Sequence, residues 1–104
     1  MLKGKVAVVT GSTSGIGLGV ARALAAEGCA IMLNGFGDKA VIDRLQRDLA
    51  QEHGVKVSYS GADVSKPVEI APMIAAAERD LGACDILVNN AGIQHVASIE
   101  KFPA

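Results

Sequence analysis

Thr10-Gly11-Ser12-Thr13-Ser14-Gly15-Ile16-Gly17 follows a run of strand-forming residues, 5–10, and opens an apolar-periodic stretch that continues to about residue 27. The glycines at 11, 15 and 17 have the spacing G-x-x-x-G-x-G, a variant of the G-x-G-x-x-G turn that joins strand to helix in dinucleotide-binding folds. Each glycine has its own task. Gly11 permits the tight exit from the strand, Gly15 lets the backbone approach a phosphate, and Gly17 lets the helix pack near the sheet. The first turn of a helix carries unpaired N–H groups and a partial positive charge, so this loop is suited to a pyrophosphate.

Outward from the loop, β-type runs alternate with helical patterns, the signature of an α/β fold with a parallel sheet. Strands are predicted over residues 5–10, 30–34, 56–60 and 86–89, all short apolar runs without strict alternation, as expected for strands buried on both faces. Helices are predicted over residues 16–27, 39–52 and 68–81. The first carries Ile16, Val20, Ala23 and Leu24 on one stripe and ends at Gly28. The second repeats Val41, Leu45 and Leu49 on its core side. The third turns Met73, Ile74, Ala77 and Leu81 inward, with Ser65 as N-cap and Pro67 in the first turn. Pro72 clashes with the carbonyl of Val68 if the helix starts there, so a later start or a kink is expected.

Right-handed crossovers give a Rossmann-type strand order 3-2-1-4, with the first two helices on one face and the third on the other. The fourth strand is then an edge without Pro or charge inside it. A further strand is expected beside it, from sequence beyond this chain or from another chain. The stretch 92–104 has no strong period and reads as interrupted, so the sheet is read as incomplete.

The chain has 104 residues, half of them apolar, enough for one small domain with a real core. A net charge of −1 without a basic cluster disfavours nucleic acid. The amino-terminal apolar run is too short for a signal or a membrane span, so a cytoplasmic protein is expected. Cys29 and Cys84 each precede a strand on either side of the first, about 10 Å apart at ~4.8 Å per strand step, and are expected to be free thiols. No metal-ligating set is assigned.

Three further features fall at strand ends. The turn Asn34-Gly35-Phe36-Gly37-Asp38 has no acid at the last strand residue, and Asp38 is displaced toward the next helix cap. Neither this turn nor the glycine loop supplies a cation for a 2′-phosphate, which favours NAD over NADP; Lys39 is read as a solvated helix-start lysine. Phe36 packs either on the ribose or adenine or into a local core contact. Asp63-Val64 follows the third strand, where a carboxylate either accepts from the adenine amino group or forms a turn. Asn89-Asn90-Ala91-Gly92 follows the fourth and lines the same crevice.

In this order and spacing, Thr10 to Gly17, Asp63-Val64 and Asn89 to Gly92 resemble the amino-terminal part of a short-chain dehydrogenase/reductase, and the resemblance covers the whole chain. Residues 1–17, 33–38, 53–57 and 89–95 narrow it to a branch acting on small 3-hydroxy acids. The resemblance implies NAD contacts from Thr13, Gly15, Ile16, Phe36, Asp63, Val64, Asn90 and Gly92, with Gly11, Ser14, Gly17 and Ala91 in the same loops. It implies that Gln94 meets the substrate carboxylate and that the full-length form is a homotetramer. His95 receives no role beyond a surface loop, and His53 favours the negative end of the second helix.

Members of that family oxidise an alcohol with a serine, a tyrosine and a lysine four residues after the tyrosine, all beyond the stretch that this chain matches. Tyr59 is the only tyrosine here and is followed four residues later by Asp63. No catalytic residue is assigned. Two readings follow: the cofactor half of an NAD-dependent 3-hydroxy-acid dehydrogenase, or a non-catalytic nucleotide-binding module without its own chemistry.

Overall fold

The computed structural model describes residues 2–90 and the backbone of 95–98. The elements run β1 (Val6–Val9), α1 (Gly15–Ala26), β2 (Ala30–Asn34), α2 (Lys39–His53), β3 (Val57–Ser60), α3 (Pro67–Leu81), β4 (Ile86–Asn89) and β5 (His95–Ser98). The sheet order is β3-β2-β1-β4-β5, so the four parallel strands take the expected order 3-2-1-4. The expectation that β4 is an edge is corrected. β5 pairs with it antiparallel, Asn89 opposite His95 and Ile86 opposite Ser98, so the covering strand comes from this chain. His95 thus opens a strand rather than sitting in a loop. Four residues are too few to show a period in sequence, which is why the stretch read as shapeless.

Strand alternation divides the core. Ala7, Val9, Ile31, Leu33 and Val88 face α1 and α2, while Val8 and Met32 face α3. Both faces of β1 and β2 are therefore covered, as their unbroken apolar runs predict. Burying each of Ile31, Met32 and Leu33 contributes about 1.5–3 kcal/mol. Cys29 lies in the first cluster and Cys84 in the second, and both are free.

The helix faces needed correction. α1 buries Gly17, Ala21 and Ala25, with Val20 and Leu24 flanking, whereas Ile16 and Ala23 are exposed. Small residues win the inner stripe because α1 lies so close to the sheet that larger ones do not fit beneath it. In α2, Ile42 and Leu49 are buried with Leu45 beside them, and Val41 is exposed; the spacing 42, 45, 49 follows the true helical period more closely than every fourth residue. α3 buries Met73 and Ala77, with Ile74 and Leu81 packed alongside.

α3 begins at Pro67 in its first turn and continues through the exposed Pro72, so the later start is not seen. The hydrogen bond forfeited at Pro72 is outweighed by the burial of Met73 and Ala77 on the same helix. Its N-cap is Lys66, without a side-chain bond, and not Ser65. The Ser65 hydroxyl instead donates to Asp63, and Glu69 reaches back to accept from the Asp63 amide at 2.8 Å. Asp38 does cap α2, accepting from Ala40 N at 2.8 Å, and His53 sits in the last turn of that helix. Among the described residues no helix is long and apolar enough to cross a membrane.

Candidate nucleotide-binding site

Register decides which residues meet. Val9 pairs with both Leu33 and Val88, and Leu33 pairs with Tyr59. The next residue of each strand, Thr10, Asn34, Ser60 and Asn89, therefore falls in one row at the carboxyl end of the sheet. A cleft of about 930 Å³ opens above that row. The first strand exit contributes Gly11, Thr13 and Ser14; the second contributes Asn34, Gly35 and Phe36. Ala62, Asp63, Val64 and Ser65 enter from the third, and Asn89 and Asn90 from the fourth. Four separate stretches of the sequence thus meet in one crevice, where ligands bind in open α/β sheets.

The glycine loop is shaped as its spacing requires. Gly11 and Gly15 both have φ +61°, which non-glycine residues rarely adopt. A Cβ on Gly17 would stand 2.1 Å from the Gly11 carbonyl oxygen and 2.7 Å from Asn90 Nδ2, so helix and loop touch through that glycine. Gly15, Ile16 and Gly17 form the first turn of α1, whose N–H groups have no intrahelical acceptors. Ile16 is 63% exposed and Phe36 72%; both are apolar surfaces left open to solvent.

Asn34 was missed as a site residue. It is 2% exposed, its Oδ1 accepts from Gly11 N at 3.3 Å, and its Nδ2 donates to the carbonyls of Ser60 and Ala62, both at 2.9 Å. One amide thereby ties the exits of β1, β2 and β3 together. Ser12, fully buried, adds to the knot: its hydroxyl donates to Val9 O at 2.7 Å and accepts from Asn34 N at 3.0 Å. The only sequence signal was a polar residue closing an apolar strand. Across β1, the Thr10 hydroxyl accepts from Asn90 N at 2.9 Å, and Asn90 Nδ2 donates to Gly11 O at 3.2 Å.

Asp63 plays the turn-forming part and lines the cleft as well. Its Oδ1 accepts from the Ser65 hydroxyl at 2.6 Å and from Ser65 N at 3.0 Å. The Ser65 hydroxyl, then its amide, holds the carboxyl below the usual aspartate range. Among the described residues it is the one charged residue lining the cleft. Lys39 points elsewhere, its Nζ 2.8 Å from Asp43, and that hydrogen bond raises its pKa. Ala91, Gly92 and Gln94 lie outside the described residues.

A parallel sheet in this order, with a glycine loop and a polar cleft at its carboxyl end, defines a Rossmann-type α/β unit. The sequence matches the short chain dehydrogenase family over residues 5–104, and the chain belongs to that family of oxidoreductases. It is 60% identical over 104 residues to D-beta-hydroxybutyrate dehydrogenase of Cupriavidus necator (99% of this chain, 39% of the relative). It is 50% identical over 99 residues to the enzyme of the same name from Rhizobium meliloti (95% of this chain, 38% of the relative). The chain thus spans about two-fifths of these relatives. L-sorbose reductase from Gluconobacter frateurii, solved with NADPH and L-sorbose, superposes with a TM-score of 0.79 at 36% identity, covering 98% of this chain and 38% of that one.

Proposed function

We propose that the chain is the NAD-binding part of an oxidoreductase that converts D-3-hydroxybutyrate, or a closely similar 3-hydroxy acid, to the 3-oxo acid. The observation that carries the choice of NAD is the charge of the cleft: among the described residues Asp63 is its only charged lining residue, and it is negative. Among these residues a 2′-phosphate finds no cation. The substrate class rests on the two relatives named for hydroxybutyrate; the NADPH of the sorbose reductase belongs to a more distant likeness.

The residues present fit such a cofactor. The turn at Gly11, Thr13, Ser14, Gly15, Ile16 and Gly17 cradles the pyrophosphate with backbone N–H groups and the positive end of α1. Phe36 offers an apolar face to the adenosine ribose, and Asp63 and Val64 flank the adenine. Asn90 stands at the exit of β4 on the nicotinamide side; the family resemblance alone assigns Ala91 and Gly92 to the same loop and an amide donor for the substrate carboxylate to Gln94. Bound NAD supplies the acceptor for the hydride that leaves the carbinol carbon. This chain's residues bind and orient it.

No residue of the chain is assigned the hydroxyl proton. The Tyr59 hydroxyl is engaged by the carbonyl of Gly35, and no lysine follows at the family's spacing. In the whole protein, proposed as a cytoplasmic homotetramer, that step belongs to the serine, tyrosine and lysine that the family carries further along.

Calorimetric titration with NAD and NADP tests the cofactor. Tighter binding of NAD by tenfold or more is expected; equal affinities would overturn the choice. For the whole protein, formation of NADH on addition of D-3-hydroxybutyrate tests the substrate, and a faster reaction with a sugar alcohol would contradict it.

A further inference from the structure

Tyr59 is the only tyrosine of the chain, and no step above uses it. It stands in β3 with its hydroxyl donating to the carbonyl of Gly35. From the opposite side, the Thr13 hydroxyl donates to the carbonyl of Phe36 at 3.1 Å. Two consecutive carbonyls of the turn after β2 are thus each held by a hydroxyl, one from the third strand and one from the glycine loop. Gly35 makes this approach possible. Its φ of +150° suits glycine, and a Cβ there would lie 2.6 Å from Thr13 Oγ1.

The turn runs between two cavities. On one side Gly35 and Phe36 line the large cleft. On the other, a pocket of about 310 Å³ is lined by Gly37, Lys39, Ile42, Asp43 and Tyr59. Among the described residues Lys39 is the one cation lining either cavity, and it belongs to the smaller. The turn therefore separates Phe36, on the cleft, from Lys39, which begins α2 beside the smaller pocket with its Nζ 2.8 Å from Asp43.

We propose, resting on the nucleotide-binding reading above, that Tyr59 and Thr13 are positioning residues for cofactor choice. By fixing the carbonyls of Gly35 and Phe36, they keep Phe36 beside the 2′ side of the ribose and keep Lys39 out of the cleft. Releasing either carbonyl lets the turn swing, which weakens the seat for NAD and brings the lysine nearer a 2′-phosphate.

The test compares dissociation constants for NAD and NADP in the unsubstituted chain and in Tyr59→Phe, Thr13→Val and Thr13→Ser, each checked for an unchanged far-UV spectrum. In Tyr59→Phe and Thr13→Val the preference for NAD should narrow about fivefold, the equivalent of one neutral hydrogen bond. Thr13→Ser, which keeps the hydroxyl, should retain it. A purely structural role would weaken both dinucleotides alike and leave the ratio unmoved. Ratios within twofold of the original in both hydroxyl-deleting variants would overturn the clamp alone. An unsubstituted chain that binds neither dinucleotide would overturn the nucleotide reading, and the clamp with it.

Discussion

Gly17→Ala and Gly19→Ala make the same change two positions apart in α1, and the structure assigns them opposite signs. A Cβ at Gly17 would sit 2.1 Å from the Gly11 carbonyl oxygen, about 0.9 Å inside the 3.0 Å that real Cβ atoms keep. The obstacle is backbone and cannot rotate away. Either α1 lifts from the sheet or the Gly11 turn shifts, and the bond from Asn90 Nδ2 to Gly11 O is lost with it. Overpacking costs about 1–3 kcal/mol and the hydrogen bond about 1 kcal/mol. The better helix propensity of alanine returns about 1 kcal/mol. The net loss is about 1–3 kcal/mol, a fall in Tm of about 5–20 °C for a domain this size. At Gly19 a Cβ meets nothing within 4 Å, so only the propensity gain remains, about 0.5–1 kcal/mol of stabilisation. Thermal melts followed by far-UV circular dichroism read both. A Gly17→Ala chain as stable as the parent, or a Gly19→Ala chain that falls with it, would refute the close approach of helix and loop.

Three other outcomes follow from named groups. The 104-residue chain alone should show no reduction of NAD dependent on 3-hydroxybutyrate, and turnover above a blank would mean that a proton-transfer group has been overlooked. Asn34→Asp places an oxygen where Nδ2 now faces the carbonyls of Ser60 and Ala62; a loss of about 2–4 kcal/mol in urea unfolding at neutral pH is expected, and a neutral result would remove Asn34 as the tie between three strands. Burial pushes the Cys84 thiol up to about 11 from 9.0, so the folded state keeps a proton that the unfolded state releases. Stability should therefore fall as pH rises from about 9 toward 11. Cys84→Ala should flatten part of that slope, and an identical slope would contradict the shift.

How far the sequence led can be seen at particular residues. The parallel sheet was legible because β1 and most of β2 are apolar runs, as strands covered on both faces require, and right-handed crossovers then gave the strand order. The cleft was legible because Gly11, Asp63 and Asn90 each follow a strand, and parallel strands bring their carboxyl ends to one side. The inner stripe of α1 was not. Apolar size favoured Ile16 and Val20, but the distance from helix to sheet, set by Gly17, favoured Ala21 and Ala25. Asn34 escaped for a different reason: its partners are carbonyls of Ser60 and Ala62, more than twenty residues away, and no local pattern announces them. Ser65 was read as a cap because it precedes Pro67, whereas its hydroxyl found a carboxylate two residues back.

The central claim is that a dinucleotide lies across the carboxyl ends of β1 to β4. Titration of the ¹⁵N-labelled chain with NAD, followed residue by residue through amide shifts, tests it most directly. The account predicts that the amides of Gly11 to Gly17, Phe36, Asp63, Val64 and Asn90 move together along one binding curve while those on the outer face of α2 stay fixed. Shifts confined to the smaller pocket at Lys39 and Asp43, or none at saturating NAD, would contradict it.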